Sequence, residues 1–301
     1  MSAELCHELL QRAQLALERG DLEDGYRLAT EAEAAAVAAG ETDLADRAYC
    51  NACAFAIELD QASGMVPRLK QILLGSSDPR NRFLAAYYSS VAYDLDGDLA
   101  KASSYARRAT ELAVDIPEPE LRARAANLAG NLSLREGDFG TAEQCYAQAM
   151  SAHRGLDGYH RLMEAQEQDN MGYVLMCTDR IDDGLSQCEA ARITLESMGD
   201  VHYLPQTLQD LCYGNLLIDN LDRAQSYGER ALDLATAAPD PLVVKNCLFL
   251  LSEVAVRRGD AFRARRYLRE LTTHYPEVGV SEEIIDVFLA TDLTTVVNLR
   301  G

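Results

Sequence analysis

The 301-residue sequence predicts an all-α protein built from repeating helical hairpins. Three observations support that prediction. Alanine, leucine and other strong helix formers dominate the composition, and tryptophan is absent. Runs of β-branched or aromatic residues, which would indicate strands, are nearly missing before the last dozen positions. A motif also recurs about every 40 residues, a period that is typical of helical arrays.

The recurring motif is clearest in five segments that align without gaps. They are YSSVAYDLDGDLAKASSYARRA (88–109), LAGNLSLREGDFGTAEQCYAQA (128–149), NMGYVLMCTDRIDDGLSQCEAA (170–191), DLCYGNLLIDNLDRAQSYGERA (210–231) and LLSEVAVRRGDAFRARRYLREL (250–271). The turn residues in equivalent places are Gly97, Gly137, Asp179, Asp219 and Gly259. Their spacings are 40, 42, 40 and 40 residues. Two weaker copies place equivalent turns at Gly20 and near Ile57, which gives seven units.

Small residues and prolines follow the same repeat. Five positions after each turn comes a residue small enough for two helices to approach closely. These residues are Gly25, Ala62, Ala102, Ala142, Gly184, Ala224 and Ala264. Seven of the eight prolines fall between units, where helices must stop. Pro67 is the exception, so the second helix of the second unit is expected to start late or to be kinked.

The pattern resembles that of the tetratricopeptide repeat family over nearly the whole chain. The family's small residue in the first helix is matched at Ala13, Gly130 and Gly172. Its alanine in the second helix is matched at Ala32, Ala109, Ala149, Ala191 and Ala231. Its proline after the second helix occurs once, at Pro276. The missing tryptophan and a period near 40 instead of about 34 are similar to the longer-helix variants in kinesin light chains and in bacterial regulators of the Rap and MalT type.

This resemblance implies a right-handed α-solenoid of about seven tetratricopeptide-like hairpins. The hairpins are expected over residues 1–279, a capping helix over 280–290 and an extended C-terminal tail over 291–301. The capping helix would cover the apolar end that a stacked array leaves. The tail, TDLTTVVNLRG, is β-branched and weakly charged, and two interpretations stay open. It is a frayed end, or it is a linear segment that docks into a groove of its own chain, of a neighbour or of a partner.

Composition excludes several classes of function. A formal net charge of −20 and a pI near 4.6 leave no cationic stripe that could bind nucleic acid. The N-terminal stretch lacks the features of a secretory signal, and no apolar run reaches the roughly 18 residues of a bilayer span. We therefore expect a cytoplasmic protein without membrane contact. Only three of the 28 basic residues are lysine, which is typical of a GC-rich bacterial genome.

Motifs for catalysis or metal binding are weak. Cys50 and Cys53 form a CxxC pair, but it falls at helix-packing positions and has no complementary pair, so packing is the favoured interpretation. The acidic stretch 94–98 resembles a calcium loop with its glycine two places early, and we interpret it as a turn with helix-capping acids. The five histidines are scattered, and the eight cysteines are expected to be reduced and buried. No enzyme activity, cofactor or metal is expected; an enzyme with an unrecognised thiol site is the least favoured alternative.

The resemblance also implies a binding surface. In the tetratricopeptide family the first helices of successive units line a concave groove. The candidate peptide- or partner-binding residues are Arg47, Asn51, Tyr87, Tyr88, Arg124, Asn127, Asn131, Arg135, Gln166, Asp169, Asn170, Tyr173, Gln206, Gln209, Asp210, Tyr213, Asn246, Phe249 and Glu253. A merely solvated face would be rich in Glu, Asp and Arg, whereas this set is rich in Asn, Gln and Tyr. Amides can pair with the main chain of an extended peptide, and tyrosines offer rigid contact area.

Charge changes sign along this predicted lining. Its basic members come early in the chain and its acidic members late, so a complementary ligand would be acidic toward one end and basic toward the other. The expected function is that of a non-catalytic adaptor or scaffold that holds a peptide segment of another protein. The alternative is a receptor or sensor for a short intracellular signalling peptide, as in the Rap-type regulators that the period resembles.

Overall fold

The computed structural model of the chain describes residues 3–59, 61–62, 64–154, 158–275, 282–291, 294 and 298–300. Within these ranges it contains fifteen α-helices and no strand, which confirms the all-α class. The helices are α1 (Ala3–Glu18), α2 (Leu22–Ala39), α3 (Thr42–Glu58), α4 (Val66–Gly75), α5 (Pro79–Leu95), α6 (Leu99–Ala113), α7 (Pro119–Arg135), α8 (Phe139–His153), α9 (Tyr159–Cys177), α10 (Ile181–Met198), α11 (Leu204–Leu217), α12 (Leu221–Ala237), α13 (Pro241–Arg257), α14 (Ala261–Thr272) and α15 (Glu282–Ala290). Pro276 and more than half of the predicted tail lie outside the described residues.

The helices pack into two compact units, residues 1–132 and 133–301. In the first unit the alternate helices α1, α3 and α5 touch in series, with α2 and α6 packed against their neighbours. In the second unit neighbours from α8 to α15 contact one another in chain order, and the alternate helices α9, α11 and α13 touch in series. Hairpins whose first helices lie side by side are the arrangement of an α-solenoid. None of the helices in the described part of the chain combines the length and apolar character that a bilayer crossing requires.

Six of the seven predicted turns lie where the repeat puts them, at residues with left-handed backbone angles. The φ angles are 72° at Gly20, 76° at Gly97, 77° at Gly137, 61° at Asp179, 59° at Asp219 and 73° at Gly259. The acid that follows such a glycine starts the next helix. Asp98, for example, accepts a hydrogen bond from the Lys101 backbone N–H at 3.2 Å, so the calcium-like stretch is a capped turn, as predicted.

The second repeat departs from the pattern. Ile57 lies inside α3, which continues to Glu58, so the prediction of a turn near Ile57 is wrong. Ala62 accordingly lies in the connection between α3 and α4 rather than at a helix-packing position. The helix α4 begins only at Val66, has Pro67 in its first turn and is ten residues long, which confirms the predicted late start. A proline fits there because its missing N–H would have no intrahelical partner.

A close approach between α9 and α10 fixes the helix that carries much of the site described below. A Cβ atom placed on Gly172 would lie 2.4 Å from the Cys188 Sγ atom and 2.8 Å from the Gly184 carbonyl oxygen. One placed on Gly184 would lie 2.6 Å from the Gly172 carbonyl oxygen. Only glycine at both positions permits this backbone contact, which explains why the repeat has a small residue there.

The weak chemical motifs are structural. Cys50 and Cys53 lie in the apolar core of the first unit, and burial raises the pKa of the Cys53 thiol to about 12. His153 is buried and bonded to a carboxylate. It is 2% exposed, and its Nδ1 atom lies 3.0 Å from the Glu167 Oε2 atom, which is equally buried. The pair satisfies two polar groups that burial would otherwise leave without partners.

Candidate functional site

Apart from Arg135 at the end of α7, the residues that the sequence predicts for binding in the second unit lie on three helices that touch in series, α9, α11 and α13. We call the region formed by Asp169 and Tyr173 of α9, Asp210 and Tyr213 of α11, and Asn246 of α13 the shared face. Positions three or four apart lie on the same side of a helix, and the 40-residue period brings the same side of the next first helix alongside. The shared face is therefore a product of the repeat itself.

Residues 298–300 of the same chain lie on the shared face. The Leu299 backbone N–H donates to the Tyr173 hydroxyl oxygen at 2.9 Å, and the Asn246 side-chain amide donates to the Leu299 carbonyl oxygen at 2.8 Å. The Tyr173 hydroxyl in turn donates to the Asn298 Oδ1 atom at 3.2 Å. The Leu299 residue is 1% exposed. Both main-chain polar groups of Leu299, which lies in a turn, are thus satisfied by side chains of α9 and α13.

Arg300 joins the two acidic residues of the shared face. Its Nη2 atom lies 3.1 Å from the Asp169 Oδ2 atom and also forms an ion pair with the Asp210 Oδ2 atom. The guanidinium carbon lies 5.2 Å from the centre of the Tyr173 ring, within the range of a cation–π contact. Asp169 and Asp210 are 1% and 0% exposed, so this is a buried ionic cluster of two carboxylates and one cation.

The electrostatics of the cluster are dominated by burial. Loss of solvent raises the pKa of Asp210 to about 8, Arg300 opposes that rise, and the neighbouring Asp169 adds to it. Burial likewise raises the pKa of Asp169 above its ordinary value, although Arg300 opposes this change too. Two carboxyl groups that share one site do not readily ionise together, because their negative charges repel. A cation between them lowers the pKa of the second group and so favours its ionisation.

Side-chain amides hold the carboxylates in place. Gln209 donates to the Asp210 Oδ1 atom at 3.0 Å, and Asn246 donates to the Gln209 Oε1 atom at 3.0 Å. Gln206 donates to the Asp169 Oδ2 atom at 3.5 Å, the long end of the hydrogen-bond range. The amides that the sequence singles out therefore form a relay across α11 and α13 that ends on the acidic pair.

The hydrogen bonding in the cluster is incomplete. The Asp169 Oδ1 atom and the Arg300 Nε atom are both buried and have no hydrogen-bond partner among the described residues. Arg300 uses one nitrogen, Nη2, for both carboxylates, whereas a guanidinium can present two parallel N–H groups to a single carboxylate. The site accommodates arginine, but the arginine of this segment does not use all of its hydrogen-bonding capacity.

The other predicted residues of the second unit surround this cluster more loosely. Tyr213 packs against Tyr173 with ring centres 5.8 Å apart. Phe249 belongs to the apolar core of the unit. Asn170 and Glu253 are buried, and Arg135 and Gln166 are half-buried. Their assignment to peptide binding stays a prediction.

In the first unit the predicted residues have partners of their own. Arg47 forms an ion pair with Asp78 and donates from Nε to the Asn81 Oδ1 atom at 2.6 Å. Asn81 is fully buried and donates to the Asp43 carbonyl oxygen at 2.7 Å, so Arg47 fastens α3 to the start of α5. Arg47 is thus engaged in a structural contact.

Arg124 is the centre of an aromatic cluster in the same unit. Its guanidinium carbon lies 4.5 Å from the Tyr87 ring centre, and its Nη2 atom donates to the Tyr88 hydroxyl oxygen at 3.0 Å. The two tyrosine rings meet edge to face, 5.2 Å apart. Three asparagines assigned to the same lining are half-buried: Asn51, Asn127 and Asn131. For these residues, too, peptide binding stays a prediction.

The thiols have the properties of core residues. Burial raises the pKa of Cys212 to about 12 and that of Cys177 to about 11, and the other six cysteines also have raised pKa values with burial as the first cause. A raised pKa disfavours the thiolate, which is the nucleophilic form. Across the described residues, no three or more His, Cys, Asp or Glu side chains are grouped so that they could hold a metal ion.

Sequence reasoning singled out the residues of the shared face and left open a tail that docks into its own chain. It did not name Arg300 as the residue that the face holds. Arg300 pairs with residues 131 and 90 positions away, and it lies outside every repeat. One signal was available: the tail 291–301 carries a single arginine and a single aspartate, in a chain whose predicted lining ends in acidic residues. That signal indicates complementary charge, but not which segment of which protein supplies it.

Comparison with known proteins bears on the fold. No protein-family model matches the sequence, and no curated protein matches it either. The structure is similar to a Rap protein solved in complex with competence and sporulation factor, with a TM-score of 0.75 and 11% identity over 97% of this chain and 79% of that chain. It is also similar to the apo form of RapI, with a TM-score of 0.67 and 12% identity over 98% and 85% of the two chains.

A tetratricopeptide repeat protein from Parabacteroides merdae is similar as well, with a TM-score of 0.53 and 14% identity over 98% of this chain and 100% of that chain. At such identities the similarities show the fold alone. They confirm the tetratricopeptide-type helical repeat fold that the sequence resemblance implied.

Proposed function

We propose that the chain is a non-catalytic interaction protein whose shared face holds a short segment of a partner protein. One observation carries the proposal: the shared face already binds the main chain of such a segment, through Tyr173 and Asn246 on either side of Leu299. Hydrogen bonds to a backbone N–H and a backbone C=O do not depend on the bound residue's identity. A partner segment can therefore use the same two contacts.

The burial of the acidic pair supports the same proposal. Burying two carboxylates is costly unless a cation and hydrogen bonds compensate them, and in some proteins such clusters give specificity instead of stability. In this chain the amide relay from Asn246 through Gln209 keeps Asp210 oriented. We propose that these residues form a preorganised recognition site for a partner.

A receptor for a short intracellular signalling peptide is the second candidate. Residues 298–300, a stretch no longer than part of a signalling peptide, bond to Tyr173, Asn246 and Asp169, which favours it. The similar Rap protein was solved with competence and sporulation factor, which is a statement about that protein and an analogy for this one. We propose the bacterial cytoplasm as the setting for either function, in keeping with eight free cysteines.

Selection from a random displayed-peptide library tests the proposed function. The bait is the full-length chain, used both as wild type and with Leu299 and Arg300 changed to alanine. We expect enriched peptides whose affinity falls about tenfold when Asn246→Ala is added, because one hydrogen bond to the peptide backbone and the support of Gln209 are lost. Asn220→Ala is the matched control, since the Asn220 side chain makes no capping bond at the start of α12.

Two results would contradict the proposal. One is that no peptide is enriched on either bait. The other is that the enriched peptides bind the Asn246→Ala and Asn220→Ala chains with equal affinity, because the peptides would then lie elsewhere on the protein.

A further inference from the structure

Resting on the proposed function, we propose that the partner segment presents an arginine to Asp169 and Asp210, and that residues 298–300 occupy the same place and must leave before it binds. The chain thus carries an internal competitor for its own site. The proposal concerns the identity of the ligand and the regulation of access, and neither follows from the fold.

The acidic pair sets the chemistry of the ligand. Asp169 and Asp210 are buried, and Arg300 is the only basic residue with an ion pair to either of them within the described part of the chain. A ligand that removed Arg300 without replacing its charge would leave the buried acidic pair without its counter-ion, which is unfavourable even when Asp210 is protonated. The displacing ligand must therefore bring its own cation.

The cation is a guanidinium rather than an ammonium. The bound group bridges two carboxylates and lies over the Tyr173 ring, 5.2 Å from its centre. A planar guanidinium can do both, because it offers five donors in its plane and stacks on aromatic faces, whereas an ammonium is a compact and strongly hydrated point charge. The residue before the arginine should be apolar, since the Leu299 position is almost completely buried.

Because Arg300 does not form every hydrogen bond that the site offers, a ligand that forms more of them can bind more tightly than residues 298–300. The Asp169 Oδ1 and Arg300 Nε atoms lack partners among the described residues although both are buried. A peptide whose backbone approaches differently can turn its guanidinium so that two nitrogens meet one carboxylate. Such a ligand would displace residues 298–300 by forming the bonds that they leave unmade.

The test uses an 11-residue fluorescent peptide with the sequence of residues 291–301, and the same peptide with neutral citrulline in place of arginine. The chain is full-length, either wild type or with Leu299→Ala and Arg300→Ala together, here called the release variant. Fluorescence anisotropy measures the dissociation constant of each peptide. Circular dichroism and urea unfolding establish that the release variant is folded.

We expect the arginine peptide to bind the release variant at least about tenfold more tightly than the wild-type chain, whose site is occupied. Citrulline should weaken binding to the release variant by about thirtyfold or more, since it removes a buried charge pair. Adding Asp210→Asn to the release variant should reduce the preference for arginine over citrulline, since Asp169 is then the one carboxylate left to pair with the guanidinium. Asp222→Asn, on the exposed surface of the same unit, is the matched control and should leave the preference unchanged.

A second measurement uses only the wild-type chain, so it does not depend on the release variant being folded. Hydrogen exchange of the Leu299 amide should accelerate when the arginine peptide is added in excess, because residues 298–300 leave the site. The citrulline peptide should not accelerate it.

Each contrary outcome has a distinct meaning. Equal binding of the arginine and citrulline peptides would overturn the assignment of arginine while leaving peptide binding intact. Equal binding to the wild-type and release chains, with Leu299 exchange unchanged, would overturn the competition. If neither chain binds the arginine peptide at millimolar concentration, the inference fails, and the library selection decides the proposed function separately.

Discussion

Replacing Arg300 with alanine is the perturbation that the ionic cluster predicts most sharply. The substitution removes two charge-assisted hydrogen bonds, to Asp169 and to Asp210. Each such bond contributes about 1.5–3 kcal/mol, and breaking a buried ion pair typically costs about 3–5 kcal/mol. Arg300 opposes the rise of the Asp210 pKa, so without the cation this pKa rises further and the carboxyl holds its proton more readily, which relieves part of the penalty. We therefore expect the lower end of the range, about 3 kcal/mol.

The substitution destabilises the state in which residues 298–300 are docked on the shared face. A loss of about 3 kcal/mol lowers the ratio of docked to undocked segment by about a hundredfold, since each 1.4 kcal/mol is a factor of ten. The assay is amide hydrogen exchange at Leu299, whose N–H is buried against Tyr173 in the docked state. Its exchange should accelerate about a hundredfold in the Arg300→Ala chain.

Two comparison variants sharpen the assay. Arg300→Lys keeps the charge but loses the planar fork, so it should give an intermediate acceleration. Arg269→Ala removes an exposed arginine that pairs with Glu282 and should leave Leu299 exchange unchanged. The reasoning is refuted if Arg300→Ala and Arg269→Ala give the same exchange rate at Leu299.

Three further predictions concern the scaffold and the thiols. In urea titrations, Gly172→Ala should lower the free energy of unfolding by about 2–3 kcal/mol, because the added Cβ would clash with α10. Gly20 lies in open space with a φ of 72°, so Gly20→Ala should lower it by only about 1–2 kcal/mol. The pKa of Asp210 is raised from its ordinary 3.8 to about 8 in the folded chain. The stability that its bound proton contributes is therefore fully present below about pH 4 and is lost as the pH rises through 8. Asp210→Asn should flatten the profile of unfolding free energy against pH between pH 4 and 9. All eight thiols should react slowly with iodoacetamide at neutral pH, and a single fast thiol would contradict the account of core cysteines.

The repeat made most of the fold predictable. Glycine or aspartate at a 40-residue spacing marks the turns because few residues tolerate positive φ, and six of those turns lie as predicted. The failure near Ile57 has a physical cause. The sequence there, CAFAIE, favours helix, so α3 runs on until the connection that contains Gly64, and Pro67 then allows α4 to begin.

The site was predictable only in part. The period and the alternation of first helices place Asp169, Tyr173, Asp210 and Asn246 on one face, and the residue types indicate recognition. Docking of the tail on its own chain was one of two interpretations that the sequence left open, and it could not decide between them because residues 298–300 belong to no repeat. The contact between Arg300 and Asp169 spans 131 positions and is set by tertiary packing rather than by local pattern.

A double-mutant cycle between Asp210 and Arg300 tests the central claim most directly. Asp210→Asn, Arg300→Gln and the double variant are compared with the wild-type chain by the free energy of docking, measured as Leu299 amide exchange above pH 8, where Asp210 is ionised. The account predicts a coupling energy of at least about 1.5 kcal/mol, as close buried charge pairs show. Additive effects, within about 0.3 kcal/mol, would contradict it, because the shared face would then not hold the segment through its acidic pair.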